Sequence, residues 1–159
     1  MTQEPAISRI RSEHRDCCLT DSYEEHRCRL NVPETISSSL TTIHGTDYQS
    51  SHNWQGRLCD RIIFGTFDGN FVCAVELKGG QSADMSVAIE QIQGGLNLAG
   101  SLLQTHSSER WYPLLLYSGS MPRKERDVLQ RKLVTYKGNR VRVDRIDCGS
   151  SLLNYLNKQ

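Results

Sequence analysis

Three stretches of this sequence predict an α/β protein whose central β-sheet is flanked by helices. Two apolar, β-rich runs, Arg61–Thr66 and Phe71–Leu77, meet at Asp68-Gly69, a strong short-range hairpin signal. Residues 84–104 carry Ala88, Ile92, Leu96, Ala99 and Leu103 on one helical stripe, the pattern of a helix lying on a sheet. Trp111–Ser118 (WYPLLLYS) is a short apolar run of the kind a buried strand needs.

With 159 residues, the chain suits a single domain, 1–159, with a sizeable core. Apolar residues make up 37% and charged residues 23%, the profile of an ordinary globular protein. No apolar run approaches bilayer length, and MTQEPAISRIR lacks the apolar core of a secretion signal, so no membrane partner is expected. Six cysteines without such a signal predict reduced thiols and a cytoplasmic location. The net charge of +1 gives no global pull on nucleic acid, so any basic surface must be local.

From the N-terminus, residues 5–30 read as mostly helical. Ile7, Ile10 and His14 share one side, and Thr20-Asp21-Ser22 before Glu24-Glu25 forms a break and a fresh N-cap. The second helix should run to about Leu30 and stop before Pro33. Cys17, Cys18 and Cys28, with His14 and His26, invite a zinc reading. Structural zinc sites use C-x₂₋₄-C knuckles, however, and adjacent cysteines followed by a long gap read better as small buried thiols. Cys59, Cys73 and Cys148 read the same way.

Thr35–Ile43 is β-prone and serves as a first strand. His44–Gln55 is polar and aperiodic, which predicts a loop; Tyr48, His52 and Trp54 could touch a substrate there, with Trp54 better read as a core plug. Gly79-Gly80-Gln81-Ser82 turns the chain into the long helix, which Ser82 or Asp84 can cap. Gly94-Gly95 within that helix costs about 1 kcal/mol each against alanine, and close approach to the sheet is a physical reason to keep them. Arg123–Lys132 reads as a basic helix. Leu133–Tyr136 and Arg140–Ile146 read as a hairpin around Lys137-Gly138-Asn139, and Ser150–Asn157 as a closing helix.

The hairpin at Asp68-Gly69 carries three charges that a buried hairpin should not want: Asp60, Glu76 and Lys78. Side chains alternate along a strand, so Glu76 and Lys78 share a face. A two-residue turn at Asp68-Gly69 would pair Asp60 with Leu77, on the wrong face. A three-residue loop, Phe67-Asp68-Gly69, pairs Thr66 with Asn70 and therefore Asp60 with Glu76. Loops of this kind want glycine last, in the left-handed region, and the odd loop is the one we expect. The plain reading is an edge hairpin whose ends reach solvent, with Lys78 pairing Glu76. The chemical reading is a site for a hard divalent cation, which offsets the repulsion of two close carboxylates. A lysine beside it can orient or deprotonate water, or stabilise charge on a phosphate.

Asp60, a hairpin, Glu76-Leu77-Lys78 and then a helix is an order that resembles the PD-(D/E)xK nuclease superfamily, with Cys59 where the motif name has proline. The resemblance covers roughly residues 20–118. It implies a mixed central β-sheet flanked by helices, the restriction-endonuclease-like αβββαβ core. It also implies a metal-dependent nuclease that hydrolyses phosphodiester bonds, of DNA in our reading, with Mg²⁺ or Mn²⁺ as cofactor. By the same resemblance Asp60, Glu76 and the carbonyl of Leu77 would hold the metal, and Lys78 would assist the attacking water. A glutamate of the first helix often joins such sites; Glu25 or Glu24 could fill that place and Glu13 is a poorer candidate, while capping or solvation explains any one of them without it. Some branches put a glutamine, with tyrosine four residues later, on the helix behind the motif. Here Gln91 is followed by Gly95, and Gln91 stands only as a candidate polar contact.

Between Arg123 and Arg145 nine Lys or Arg residues face three acidic ones. Arg123, Lys124, Arg126, Arg140 and Arg142 are therefore candidate phosphate contacts, against the alternative of a solvated face. The competing function is a nucleic-acid-binding or assembly module that keeps the fold without cleaving. The chain's small size suggests that a second copy or a partner protein supplies specificity.

Overall fold

The computed structural model describes residues 4–79, 84–103 and 108–159. The chain opens with α1 (Glu4–His14), a small antiparallel hairpin of β1 (Glu24–Glu25) and β2 (Cys28–Arg29), and the short α2 (Glu34–Ser37). Then come β3 (Leu40–His44), α3 (Gly45–His52), β4 (Arg61–Thr66), β5 (Asn70–Lys78), α4 (Met85–Leu102) and β6 (Arg110–Tyr117). The last part holds α5 (Arg123–Arg131), β7 (Leu133–Tyr136), β8 (Asn139–Arg142), β9 (Asp144–Asp147) and α6 (Leu152–Asn157).

Five strands form one sheet in the order β3-β4-β5-β6-β9. The first three run antiparallel, while β6 lies parallel to β5 and β9 parallel to β6, so the sheet is mixed. Alternation along β5 divides its side chains between two cores. Val72 and Ala74 pack with Ile10 of α1 and with Ile92 and Leu96 of α4. Phe71, Cys73, Val75 and Leu77 pack on the other face with Leu152 and Tyr155 of α6. The expected α/β architecture, a sheet flanked by helices, is what the chain adopts. Among the described residues no helix is long and apolar enough to cross a membrane.

The β4–β5 hairpin has the odd loop. Thr66 pairs with Asn70, and Gly69 sits at φ +105°, the left-handed region that glycine enters without strain. The α4 glycines also have their reason. A Cβ on Gly95 would stand 2.3 Å from Cys59 Sγ, and one on Gly94 would stand 2.0 Å from the Arg57 carbonyl oxygen. Asp84 caps α4, its side chain accepting from the Val87 amide. Gly80, Gln81 and Ser82 lie outside the described residues, as does Gln104.

Five expectations need correction. The second N-terminal helix is absent: its residues form β1 and β2, turning through His26 and Arg27 at positive φ. Tertiary bonds outweigh local helix propensity here, because Arg61 Nε donates to the Ser22 carbonyl at 2.6 Å and Leu30 N to the Tyr23 carbonyl. The first strand starts only at Leu40, since Ser37 and Ser39 turn their hydroxyls back onto the carbonyls of Glu34 and Ile36 and hold the short α2. The expected loop at His44–Gln55 is largely α3, capped by His44 Nδ1 and ended by Asn53 in the left-handed region. The run Arg140–Ile146 splits at buried Val143: β8 pairs with β7 across a two-residue turn, Lys137-Gly138, and β9 joins the main sheet.

Finally, the thiols are not all reduced. Cys28 and Cys148 form a disulfide across 120 residues, with Cα atoms 5.1 Å apart. Backbone bonds Gly149 N to Arg29 O, Asn31 N to Ser150 O and Leu152 N to Asn31 O stitch the two segments together just beyond it. Cys17 and Cys18 are also joined, whereas Cys59 and Cys73 are free and buried as expected.

Candidate functional site

The odd loop sets the parity of the whole hairpin, so Asp60, just before β4, stands beside Glu76 on β5. Two bonds fix the pair. The Asp60 amide donates to Glu76 Oε1 at 3.0 Å, and the Leu77 amide donates to Asp60 Oδ2 at 2.8 Å. Lys78 Nζ lies 2.7 Å from Glu76 Oε2 and 3.4 Å from Gln91 Oε1 of α4. Asp60, Glu76, Lys78 and Gln91 are thereby brought together, on the sheet face covered by α4.

Glu76 is only 1% exposed. Burial, and after it the nearby Asp60 charge, push its carboxyl pKa up to about 8, while Lys78 pulls the other way. The same burial and the same two carboxylates hold the Cys59 thiol well above its ordinary range, so it stays a neutral SH behind the site. Asp60 is partly exposed, and among the described residues only its Oδ2 has a donor. These are hard oxygen donors, and Asp60, Glu76 and the Leu77 carbonyl are the groups that could hold a hard divalent ion.

Glu25 is placed elsewhere. Its Oε1 accepts from Arg61 Nη2 at 3.1 Å and lies 3.2 Å from His44 Nε2. Arg61 follows Asp60 in the strand and so points to the opposite face. Its guanidinium, 2% exposed, also donates to the carbonyls of Ser22, Glu24 and Asp60. The Asp60 carbonyl takes a second donor, the Gly45 amide. Glu25 therefore contributes through Arg61, by fixing the backbone that carries Asp60. Strand parity alone gives Arg61 no role, although an arginine in an otherwise apolar strand run is a visible signal.

The basic residues Arg123, Lys124 and Arg126 are exposed on α5, and Arg140 and Arg142 on β8. None of the five forms an ion pair among the described residues. Leu129 of α5 and Val134 and Tyr136 of β7 belong to the core that also contains Ile62, Ala74 and α4, so this basic layer lies on the same side of the sheet as the carboxylates. Gln93 clamps it to α4, its side-chain amide exchanging two 2.8 Å bonds with the Thr135 backbone. Of the aromatic candidates, Trp54 is partly buried against the core and Tyr48 is 7% exposed. No family model matches the chain, and no curated protein or solved structure matches it either.

Proposed function

We propose that this protein is a metal-dependent nuclease that hydrolyses phosphodiester bonds, with DNA as the substrate. The observation that carries the reading is the convergence of Asp60, Glu76 and Lys78 at one point of a mixed sheet, fixed by the odd hairpin. With the β1–β2 hairpin, α2 and α3 taken as insertions, the order α1, β3, β4, β5, α4, β6 adds support, since it resembles the αβββαβ core of the PD-(D/E)xK nucleases. A divalent ion held by Asp60, Glu76 and the Leu77 carbonyl would supply Lewis-acid polarisation of a phosphoryl oxygen. Lys78, which contacts Glu76 and Gln91, would hold a water or donate toward a phosphate oxygen. The exposed arginines of α5 and β8 would take the flanking phosphates.

A second reading is a nucleic-acid-binding or assembly module that does not cleave. It is favoured by one feature: both Glu76 oxygens already have donors, the Asp60 amide and Lys78. Labelled single- and double-stranded DNA and RNA, incubated with Mg²⁺, Mn²⁺ or EDTA, distinguish the two. The nuclease reading expects cleavage that needs the metal and vanishes in EDTA. Binding without cleavage under every metal condition selects the module.

A further inference from the structure

A second group of metal-ligating side chains shares no residue with the carboxylate site. His14 ends α1, Cys17 and Cys18 occupy the turn behind it, and His52 ends α3. One imidazole nitrogen or sulfur from each lies within 4.8 Å of all the others. The four groups are near enough to close around one ion once the two sulfurs part, with bonds of about 2.3 Å to sulfur and about 2.0 Å to nitrogen.

Two further features point to a ligand. His14 is 5% exposed, and among the described residues its buried Nε2 has no hydrogen-bond partner, an arrangement folded proteins avoid. His52 Nδ1 lies 3.3 Å from the Tyr48 carbonyl oxygen, which can only accept, so the proton sits on Nδ1 and the lone pair on Nε2. An imidazole oriented by a backbone carbonyl in this way is the usual form of a metal-bound histidine. Tyr48 stacks on the His52 ring with centroids 4.0 Å apart and fixes its plane.

We propose that His14, Cys17, Cys18 and His52 form a structural zinc site. Two sulfurs and two imidazoles are too soft a set for Mg²⁺, and tetrahedral S₂N₂ is a zinc geometry. Four protein ligands leave no open position for water, which makes the site structural rather than catalytic. The ion ties the end of α1 to the end of α3, and α3 leads into the segment bearing Asp60. The knuckle spacing missing from the sequence is supplied by the fold: Cys28 goes to Cys148, and His52 arrives from α3 instead of His26. A Cys17–Cys18 bond and a metal compete for the same sulfurs, so the reduced pair is the binding form.

The test uses the full chain with the Cys17–Cys18 pair reduced, incubated with Zn²⁺ and dialysed, with zinc measured by elemental analysis. Roughly one zinc per chain is expected, and Co²⁺ in its place should give thiolate-to-cobalt charge-transfer absorption. His52 is exposed, so His52→Ala should fold while binding more than about 100-fold more weakly, beyond the loss of an outer hydrogen bond. Asp60→Ala should keep its zinc, which separates this site from the carboxylates. A reduced wild-type chain that takes up no zinc, or a His52→Ala chain that binds as tightly as wild type, overturns the proposal.

Discussion

Asp60 and Glu76 hold each other across the β4–β5 hairpin: the amide of one donates to the carboxylate of the other at 3.0 Å, and the Leu77 amide returns a bond to Asp60 Oδ2. Two carboxylates are thus held close by backbone amides that neither can escape. Burial first, and the neighbouring Asp60 charge after it, raise the Glu76 pKa, so the charged pair is costly without a cation.

Asp60→Asn separates charge from scaffold. The amide oxygen still accepts from Leu77, so thermal stability should change little, whereas a divalent ion loses a charged ligand. Metal-dependent cleavage should fall by about 10²–10³-fold, the scale of losing one preorganised electrostatic group. A folded Asp60→Asn protein that cleaves at the wild-type rate would remove the carboxylate site from the mechanism.

Glu76 predicts two opposite pH dependences. Its folded pKa of about 8 lies above the ordinary 4.5, so the folded metal-free protein binds this proton more tightly than the unfolded chain does. Its contribution to stability is fully present below about pH 4.5 and is lost as pH rises through about 8. Glu76→Gln should flatten that decline in melting temperature. On the proposed metal reading Mg²⁺ has to displace this proton, so its affinity should rise with pH, by up to about tenfold per unit below pH 8. Calorimetric titration on both sides of that pH checks the sign; affinity that does not change with pH would contradict it.

Much of this site could be read from the sequence because strand parity is a local rule. The loop residues Phe67-Asp68-Gly69 settle which face Asp60 takes, and the Gly94-Gly95 pair announces a close approach of α4, to the segment entering β4 and, at Gly95, to Ala74 of the sheet. What could not be read depends on distant partners. Glu24-Glu25 looks like a helix start until Arg61 draws the Ser22 and Glu24 carbonyls into its fork. Cys28 and Cys148 meet only because β2 and the turn after β9 are adjacent in space. His52 joins His14 and the cysteine pair only through the packing of α3, a helix whose sequence has no clear apolar stripe.

Arg61 tests how the backbone beneath the site is held. Arg61→Met keeps the apolar stem but removes the bonds to Ser22, Glu24, Glu25 and Asp60. Denaturant unfolding should show a loss of about 2–3 kcal/mol, since bonds from a charged donor are among the stronger ones. Glu25→Gln, at a partly exposed position that still accepts, should cost less than about 1 kcal/mol. Equal effects from the two substitutions would mean that Glu25, not the guanidinium fork, is the essential group.

The Cys28–Cys148 bond closes most of the chain into one loop. Replacing both residues by serine should lower stability by about 2–5 kcal/mol and leave the β4–β5 hairpin intact. Chemical denaturation of the double variant, in parallel with the reduced wild type, reads the effect; identical curves for oxidised and reduced wild type would show that the bond adds nothing.

The basic layer decides between phosphate contact and simple solvation. Arg140 and Arg142 on β8 and Arg123, Lys124 and Arg126 on α5 sit in a layer joined to α4 by Gln93, and α4 carries Gln91 at the carboxylate site. A nucleic-acid strand lying over this layer would release about 0.9 counterion for each phosphate it neutralises on duplex DNA. Binding should therefore weaken steeply with salt. Arg140→Ala with Arg142→Ala should reduce the slope of log affinity against log salt by about 2, while Asp60→Asn leaves that slope unchanged. Fluorescence anisotropy on a labelled duplex, without divalent ions to prevent cleavage, measures both. If the double variant keeps the wild-type slope, those arginines face only water, and the duplex must be held by another surface.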